Sequence, residues 1–246
     1  MKLESMDDLA EALIAAHDGG PVIEVVPPQL IPADMTAVIA LQDMIVRKIG
    51  PVGGWKVMAG GQGEPMCAPI PANRYFASGE SIDAEKHRLV LVELEVAVKL
   101  GRDLSADADL DTVEASIASI HPILELIGSP FADRDAIDFN TKLGDLQSNG
   151  AVVVGAPFDH AVRHDVHTLS AQLSFNGAEV KTGAGGASWS HIIEAVRWLA
   201  GHAASRGLPL TTGQVLITGS RAIHPVGANL LVTGAFGQHG DVTVKL

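Results

Sequence analysis

The stretch from Val90 to Leu100 most narrows what this chain can become. Val90, Val92, Leu94, Val96, Val98 and Leu100 occupy alternate positions, with Glu93 and Glu95 between them. A period of two belongs to a β-strand, because successive side chains leave a strand on opposite faces. One face is therefore continuous apolar surface, and the two glutamates share the other. Two residues of strand advance roughly 6.6 Å, so same-face carboxylates can lean toward one cation that neither would hold alone. The alternation fits equally well a half-buried strand whose wet face carries Glu93, Glu95 and Lys99.

A second stretch, Pro122-Ile123-Leu124-Glu125-Leu126-Ile127, sets one carboxylate inside an apolar run. An ionised carboxylate loses several kcal/mol on desolvation unless it is paired, protonated or metal-bound. Glu125 therefore needs a cation. The run holds no Lys or Arg, and Arg134 is the nearest downstream, beyond Gly128-Ser129-Pro130. Two carboxylates from one strand and one from another make an all-oxygen set of the kind that selects Mg²⁺ or Mn²⁺ over zinc.

Length and charge narrow the classes. A chain of 246 residues with 47% hydrophobic content can bury a sizeable core. Its net charge of −12 disfavours nucleic acid or an anionic membrane as partner, since both would repel it. An anionic small substrate would need a local cation, a further reason to expect a metal. Cys67 is the single cysteine, so no intramolecular disulfide forms and cytoplasm is the default location. Residues 1–16 carry Glu4, Asp7 and Asp8 in place of a signal peptide's basic start, and no run of 18 apolar residues occurs.

Along the chain, Ser5-Met6-Asp7-Asp8 reads as a helix start, with Leu9, Leu13 and Ile14 as its apolar face and Gly19-Gly20 as its stop. A second helix is expected from about Ala33 to Ile49, ended by Gly50-Pro51. From Gly53 onward, short alternating segments between glycines and prolines indicate a β-rich body. Within Gly53-Gly54-Trp55-Lys56-Val57, Lys56 is a lone cation in an apolar setting. Partial desolvation would lower its pKa and suit it to proton transfer; a surface lysine reaching for water is the other reading. Gly60-Gly61-Gln62-Gly63 reads as a loop and carries no phosphate fingerprint. His160, His164 and His167 have zinc-like spacing but lack a helical apolar face, which favours a polar connection. Asn176-Gly177 marks a hairpin turn, and Ser190 to Ser205 a helix burying Ile193, Val196, Leu199 and Ala200. Strands are expected at Val215–Thr218, Asn229–Thr233 and Val242–Leu246, with His224 as a site residue or a loop histidine.

In order and spacing, Gly54-Trp55-Lys56, Glu93-Leu94-Glu95, Leu124-Glu125, Gly144-Asp145, Gly150 to Gly155, Thr182-Gly183-Ala184-Gly185, Ala195 to Ala200 and Thr218-Gly219 resemble the fumarylacetoacetate hydrolase superfamily. The nearest branch is that of the 2-oxopent-4-enoate hydratases and 2-oxo-3-hexenedioate decarboxylases. The resemblance implies an α+β fold, a mixed β-sheet rolled into a partly open barrel, with an N-terminal helical segment (1–52) packed on a β-rich catalytic domain (53–246). It implies Mg²⁺ or Mn²⁺ on Glu93, Glu95 and Glu125, and Lys56 as the catalytic lysine. The implied activity is a lyase, hydratase or decarboxylase, acting through a metal-stabilised enolate on a small 2-oxo acid in aromatic-compound catabolism, in a homo-oligomer. Departures are Met58 and Gly60 for a glycine and a threonine, Pro65-Met66-Cys67-Ala68 for a segment with an acid, and Leu146 for an asparagine. Two alternatives follow. One is a diketo acid hydrolase, with His121 near Glu125 supplying a His–Glu base; the other is a non-catalytic structural relative.

Overall fold

In the computed structural model, which describes residues 3–246, the alternating stretch is β4 (Leu89–Leu100). It pairs antiparallel on both flanks, with β5 (Ile117–Gly128) and with β9 (Val215–Pro225). Ahead of it lie α1 (Met6–His17), α2 (Met35–Ile49), β1 (Val52–Val57), β2 (Cys67–Pro71) and β3 (Tyr75–Ala77). Between and beyond these come α3 (Leu110–Ser116), α4 (Phe139–Gly144), β6 (Asn149–Val154), β7 (Ser170–Phe175), β8 (Ala178–Ala184), α5 (Trp189–Ser205), β10 (Leu231–Ala235) and β11 (Asp241–Lys245).

Seven strands form one sheet in the order β2-β1-β9-β4-β5-β6-β3. Its two edge strands, β2 and β3, are consecutive in the chain, separated only by the turn Ala72–Arg74. So short a link forces the sheet to curl until its edges approach each other. The β1·β9 and β3·β6 ladders are parallel and the rest antiparallel, so the partly open barrel is mixed and the fold is α+β. A second sheet, β11-β10-β7-β8, joins α5 in covering the outer surface of the curl. There Leu94, Val96 and Val98 of β4 pack with Leu173, Val232, Val196 and Leu199. The concave side is filled by a smaller apolar plug of Ile70, Ala97, Ile123, Val152, Val215 and Ile217.

The N-terminal helices form where their caps place them. Ser5 and Asp8 close a capping box on α1, and Asp34 accepts the Ala37 N–H at the start of α2. Leu9, Leu13, Leu41 and Ile45 bury against Ala68, Phe131 and Leu146 from the β-rich part. Asn176 and Gly177 both take positive φ (51° and 83°), which makes the β7–β8 hairpin the tight type the dipeptide favours. The His160–His167 segment is a pair of short 3₁₀ turns that bury Val162 and Val166 and leave all three histidines exposed. One strand runs further than its apolar pattern: β9 continues past Thr218 to Pro225, because pairing with β4 carries it through the polar Gly219-Ser220-Arg221. Among the described residues no helix is long and apolar enough to cross a membrane.

Candidate metal centre

The β4–β5 register sets Glu93 directly opposite Glu125, with Glu95 next along the same face. That face is the inside of the curl. Glu95 is 1% exposed and Glu125 0%, so these glutamates do not form the wet face of a half-buried strand. Like charges directly opposite each other destabilise a ladder, yet one carboxylate oxygen from each of the three glutamates lies within 4.8 Å of the others.

Lys56 reaches the cluster from β1, on the far side of β9. Its Nζ is 2.7 Å from Glu125 Oε2 and 3.6 Å from Glu93 Oε2. The first contact is a short ion pair in which the ammonium serves Glu125 Oε2, and Lys56 reaches Glu93 only at longer range. Burial pushes the Lys56 pKa down, as its apolar neighbours suggest. The charges of Glu125, Glu93 and Glu95 together outweigh that effect and hold it above the ordinary lysine value. The lowered pKa expected from the Trp55–Val57 setting is therefore reversed: without an ion among the carboxylates, Lys56 is a firmly protonated ammonium. Glu95 is held well above the usual carboxylate range by burial and then by Glu125. Burial also raises Glu125, against the pull of Lys56.

Two contacts orient the acids. Gly219 N–H donates to Glu95 Oε2 at 2.8 Å, from a backbone with φ 129° that favours glycine. Asn149 Nδ2 donates to Glu125 Oε1 at 2.9 Å. Asn149 follows three consecutive non-glycine residues in the left-handed region, Leu146, Gln147 and Ser148, with φ of 48°, 56° and 59°. Each such residue costs about 1–2 kcal/mol, so the turn needs anchors. They are Leu146, fully buried in the N-terminal core, and Asp145, whose carboxylate is 2.9 Å from His17 Nε2. The buried Arg74 guanidinium donates to the Asn149 carbonyl and completes the anchoring.

Other residues singled out in the sequence lie elsewhere. His121 points to the same concave face as Glu125 but four residues along the strand, roughly 13 Å away. Its ring nitrogens are taken up by Gly155 O at 2.9 Å and Ser119 Oγ at 2.8 Å, with Ile123 intervening, so no His–Glu base forms. His224 packs edge-to-face on Phe175 at 5.2 Å. Glu64 is exposed, Met66 continues the β1–β2 pairing through its carbonyl, and no acid from that segment joins the cluster. Leu146 is core.

Asn149, Gly219 and Arg221 were not anticipated from sequence. Arg221 carries little signal, since it follows the polar Gly219-Ser220 where the apolar strand pattern has ended. Asn149 carried none, since a strained turn and cross-strand register place it.

Three carboxylates and one ammonium leave a formal charge of −2 in a largely buried space, which a single divalent ion would cancel. Three hard oxygen donors grouped within reach of one another suit Mg²⁺ or Mn²⁺, so the residues present fit such an ion.

No family model matches the chain. It is 30% identical over 178 residues to 2-keto-4-pentenoate hydratase of Paraburkholderia xenovorans (strain LB400), covering 72% of this chain and 66%, just under two thirds, of that protein. To 2-keto-4-pentenoate hydratase 2 of Dechloromonas aromatica (strain RCB) it is 26% identical, over 97% of this chain and 93% of the relative. The solved 4-oxalocrotonate decarboxylase from Pseudomonas putida G7, complexed with magnesium and adipate, superposes with a TM-score of 0.82 at 22% identity, covering 100% of this chain and 99% of that one. Fold and site together define a curled mixed-sheet protein with a buried carboxylate centre. The chain is thus similar in sequence to 2-keto-4-pentenoate hydratases and shares the fold of the solved decarboxylase, in line with the resemblance read from its motifs.

Proposed function

We propose that the protein is a Mg²⁺- or Mn²⁺-dependent lyase, a hydratase or decarboxylase, acting on a 2-oxo acid in the breakdown of aromatic compounds. The observation that carries the reading is the convergence of Glu93, Glu95, Glu125 and Lys56 from three strands into one buried cluster with two uncompensated negative charges. Relatives named as hydratases, and a structural neighbour named as a decarboxylase and complexed with magnesium, support it.

In this reading Glu93, Glu95 and Glu125 are the metal ligands, held in orientation by Gly219 N–H and Asn149. A divalent ion held by these three carboxylates would supply Lewis acidity toward the oxygens of a 2-oxo acid. Lys56 starts protonated and donates its Nζ proton to the substrate where a bond beyond the ketone is made or broken, then recovers it from water. The apolar plug of Ala97, Ile123 and Ile217 closes the inner end of the barrel and keeps bulk water from that side. Assembly as a homo-oligomer and a cytoplasmic location belong to the same proposal.

The test follows 2-hydroxypenta-2,4-dienoate, 2-oxo-3-hexenedioate and acetylpyruvate by ultraviolet absorbance with Mg²⁺. Turnover of either of the first two is expected. Hydrolysis of acetylpyruvate alone would make the protein a hydrolase, and inertness toward all three would leave a non-catalytic relative.

A further inference from the structure

Arg221 is a second cation beside the cluster, and unlike Lys56 it forms no ion pair among the described residues. It reaches its place through an irregularity in β9. The β4–β9 register passes from Leu94 opposite Ala222 to Glu95 opposite Ser220, so Arg221 is the extra residue of a bulge. Bulges re-aim a side chain and are common beside active sites. The neighbouring residues already serve the cluster: Gly219 donates to Glu95, and Ser220 sits across the ladder from it. Glu95 is near enough that its charge partly opposes the effect of burial, which still leaves the Arg221 pKa below the ordinary arginine value.

The surroundings are shaped to this guanidinium. Arg221 is 8% exposed, and its Nη1 donates to the Gly185 carbonyl. A Cβ on Gly186 would collide with the guanidinium, and one on Gly183 with the Arg221 carbonyl, so the end of β8 and the loop after it close over Arg221 only because these positions are glycine. With Nη1 engaged, the other edge is left over. Nε is buried and has no hydrogen-bond partner, and Nη2 donates to no described residue. Nε and Nη2 together form a planar fork that matches the two oxygens of a carboxylate. A buried, unpaired charge is costly, and natural proteins leave few such donors unsatisfied.

The charges point the same way. A divalent ion, three carboxylates and Lys56 sum to zero, so Arg221 leaves one positive charge for an incoming anion. We propose that Arg221 anchors a carboxylate of the substrate, taken bidentately on its Nε/Nη2 edge. The assignment rests on the 2-oxo acid reading of the site and adds to it the residue that recognises the acid. Two carboxylates have this chemistry, the one next to the ketone and the distal one of a dioic substrate.

Calorimetric titration of pyruvate and of 2-oxoadipate into the Mg²⁺-loaded protein tests the assignment and separates the two. Arg221→Gln should bind about 10- to 100-fold more weakly, while Mn²⁺ affinity by electron paramagnetic resonance stays within about twofold of wild type. Loss of both ligands assigns the carboxylate next to the ketone; loss confined to 2-oxoadipate assigns the distal one. Arg221→Lys keeps a charge but not the fork, and should recover only part of the affinity. Wild-type affinity for both ligands in Arg221→Gln, or in Arg221→Lys should the glutamine variant not fold by circular dichroism, overturns the assignment and leaves the metal reading standing. Loss of Mn²⁺ along with ligand in Arg221→Gln would make Arg221 a structural support and also overturns it. A wild type that binds metal but neither acid overturns this assignment together with the 2-oxo acid reading.

Discussion

The β4–β5 ladder carries polar side chains at both ends of a single face, and the two ends are chemically unlike. At one end stand Glu93, Glu95 and Glu125; at the other stand Lys99, Ser119 and His121, with the plug residues Ala97 and Ile123 between them. At the histidine end the polar groups satisfy one another. His121 has a partner at each ring nitrogen, burial lowers its pKa, and Lys99 is exposed to water. At the acidic end like charges face each other, Glu95 is held well above the usual carboxylate range, and a single ammonium stands against three carboxylates. Both ends combine titratable groups in a concave setting. Only one is incomplete without a ligand, and that incompleteness, rather than polarity, marks a functional site.

The sharpest way to break this comparison is Lys56→Ala. A group placed for proton transfer acts mainly in the transition state, so kcat should fall by about 10²–10⁴-fold. Mn²⁺ affinity, read by electron paramagnetic resonance, should hold or rise, because a nearby positive charge is removed. Normal turnover with lost metal would make Lys56 an organiser of the carboxylates. Next in size, Glu95→Ala should weaken Mn²⁺ binding by at least about 10²-fold, beyond the range of residues that only orient a ligand; wild-type affinity would reduce the glutamates to a buried structural cluster. Asn149→Ala should cost about 10-fold in metal affinity, recovered in turnover when metal is raised to saturation. No change would mean that the strained turn before Asn149 serves the fold alone. The smallest effect belongs to the other end. His121→Ala should lower stability by about 1 kcal/mol in urea unfolding through its lost hydrogen bonds, leaving kcat and Mn²⁺ affinity within about twofold. A large drop in kcat there would revive the His-based hydrolase alternative.

Much of the fold was legible because it is local. The capping box at Ser5, the Asn176-Gly177 turn, the apolar stripe of α5 and the period-two run of β4 are written in neighbouring residues, and the structure carries each of them. The end of β9 was not legible, because Gly219-Ser220-Arg221 has no strand pattern of its own and pairs only because β4 lies alongside. The grouping of Glu93, Glu95 and Glu125 was half legible. Desolvation of a lone carboxylate identifies Glu125 as needing a cation from sequence, but it does not say which strand lies opposite.

What the sequence determined by itself is the set of local periodicities and the list of charges that cannot be buried alone. The tertiary structure decided which face of β4 turns inward, and it did so through the three-residue link between β2 and β3 that curls the sheet. It also reversed the expected direction of the Lys56 pKa. An apolar neighbourhood in sequence contributes only desolvation, whereas three carboxylates from β4 and β5 contribute a through-space attraction that exceeds it. Coulombic interactions depend on distance in space, and distance in space is what a one-dimensional pattern does not contain.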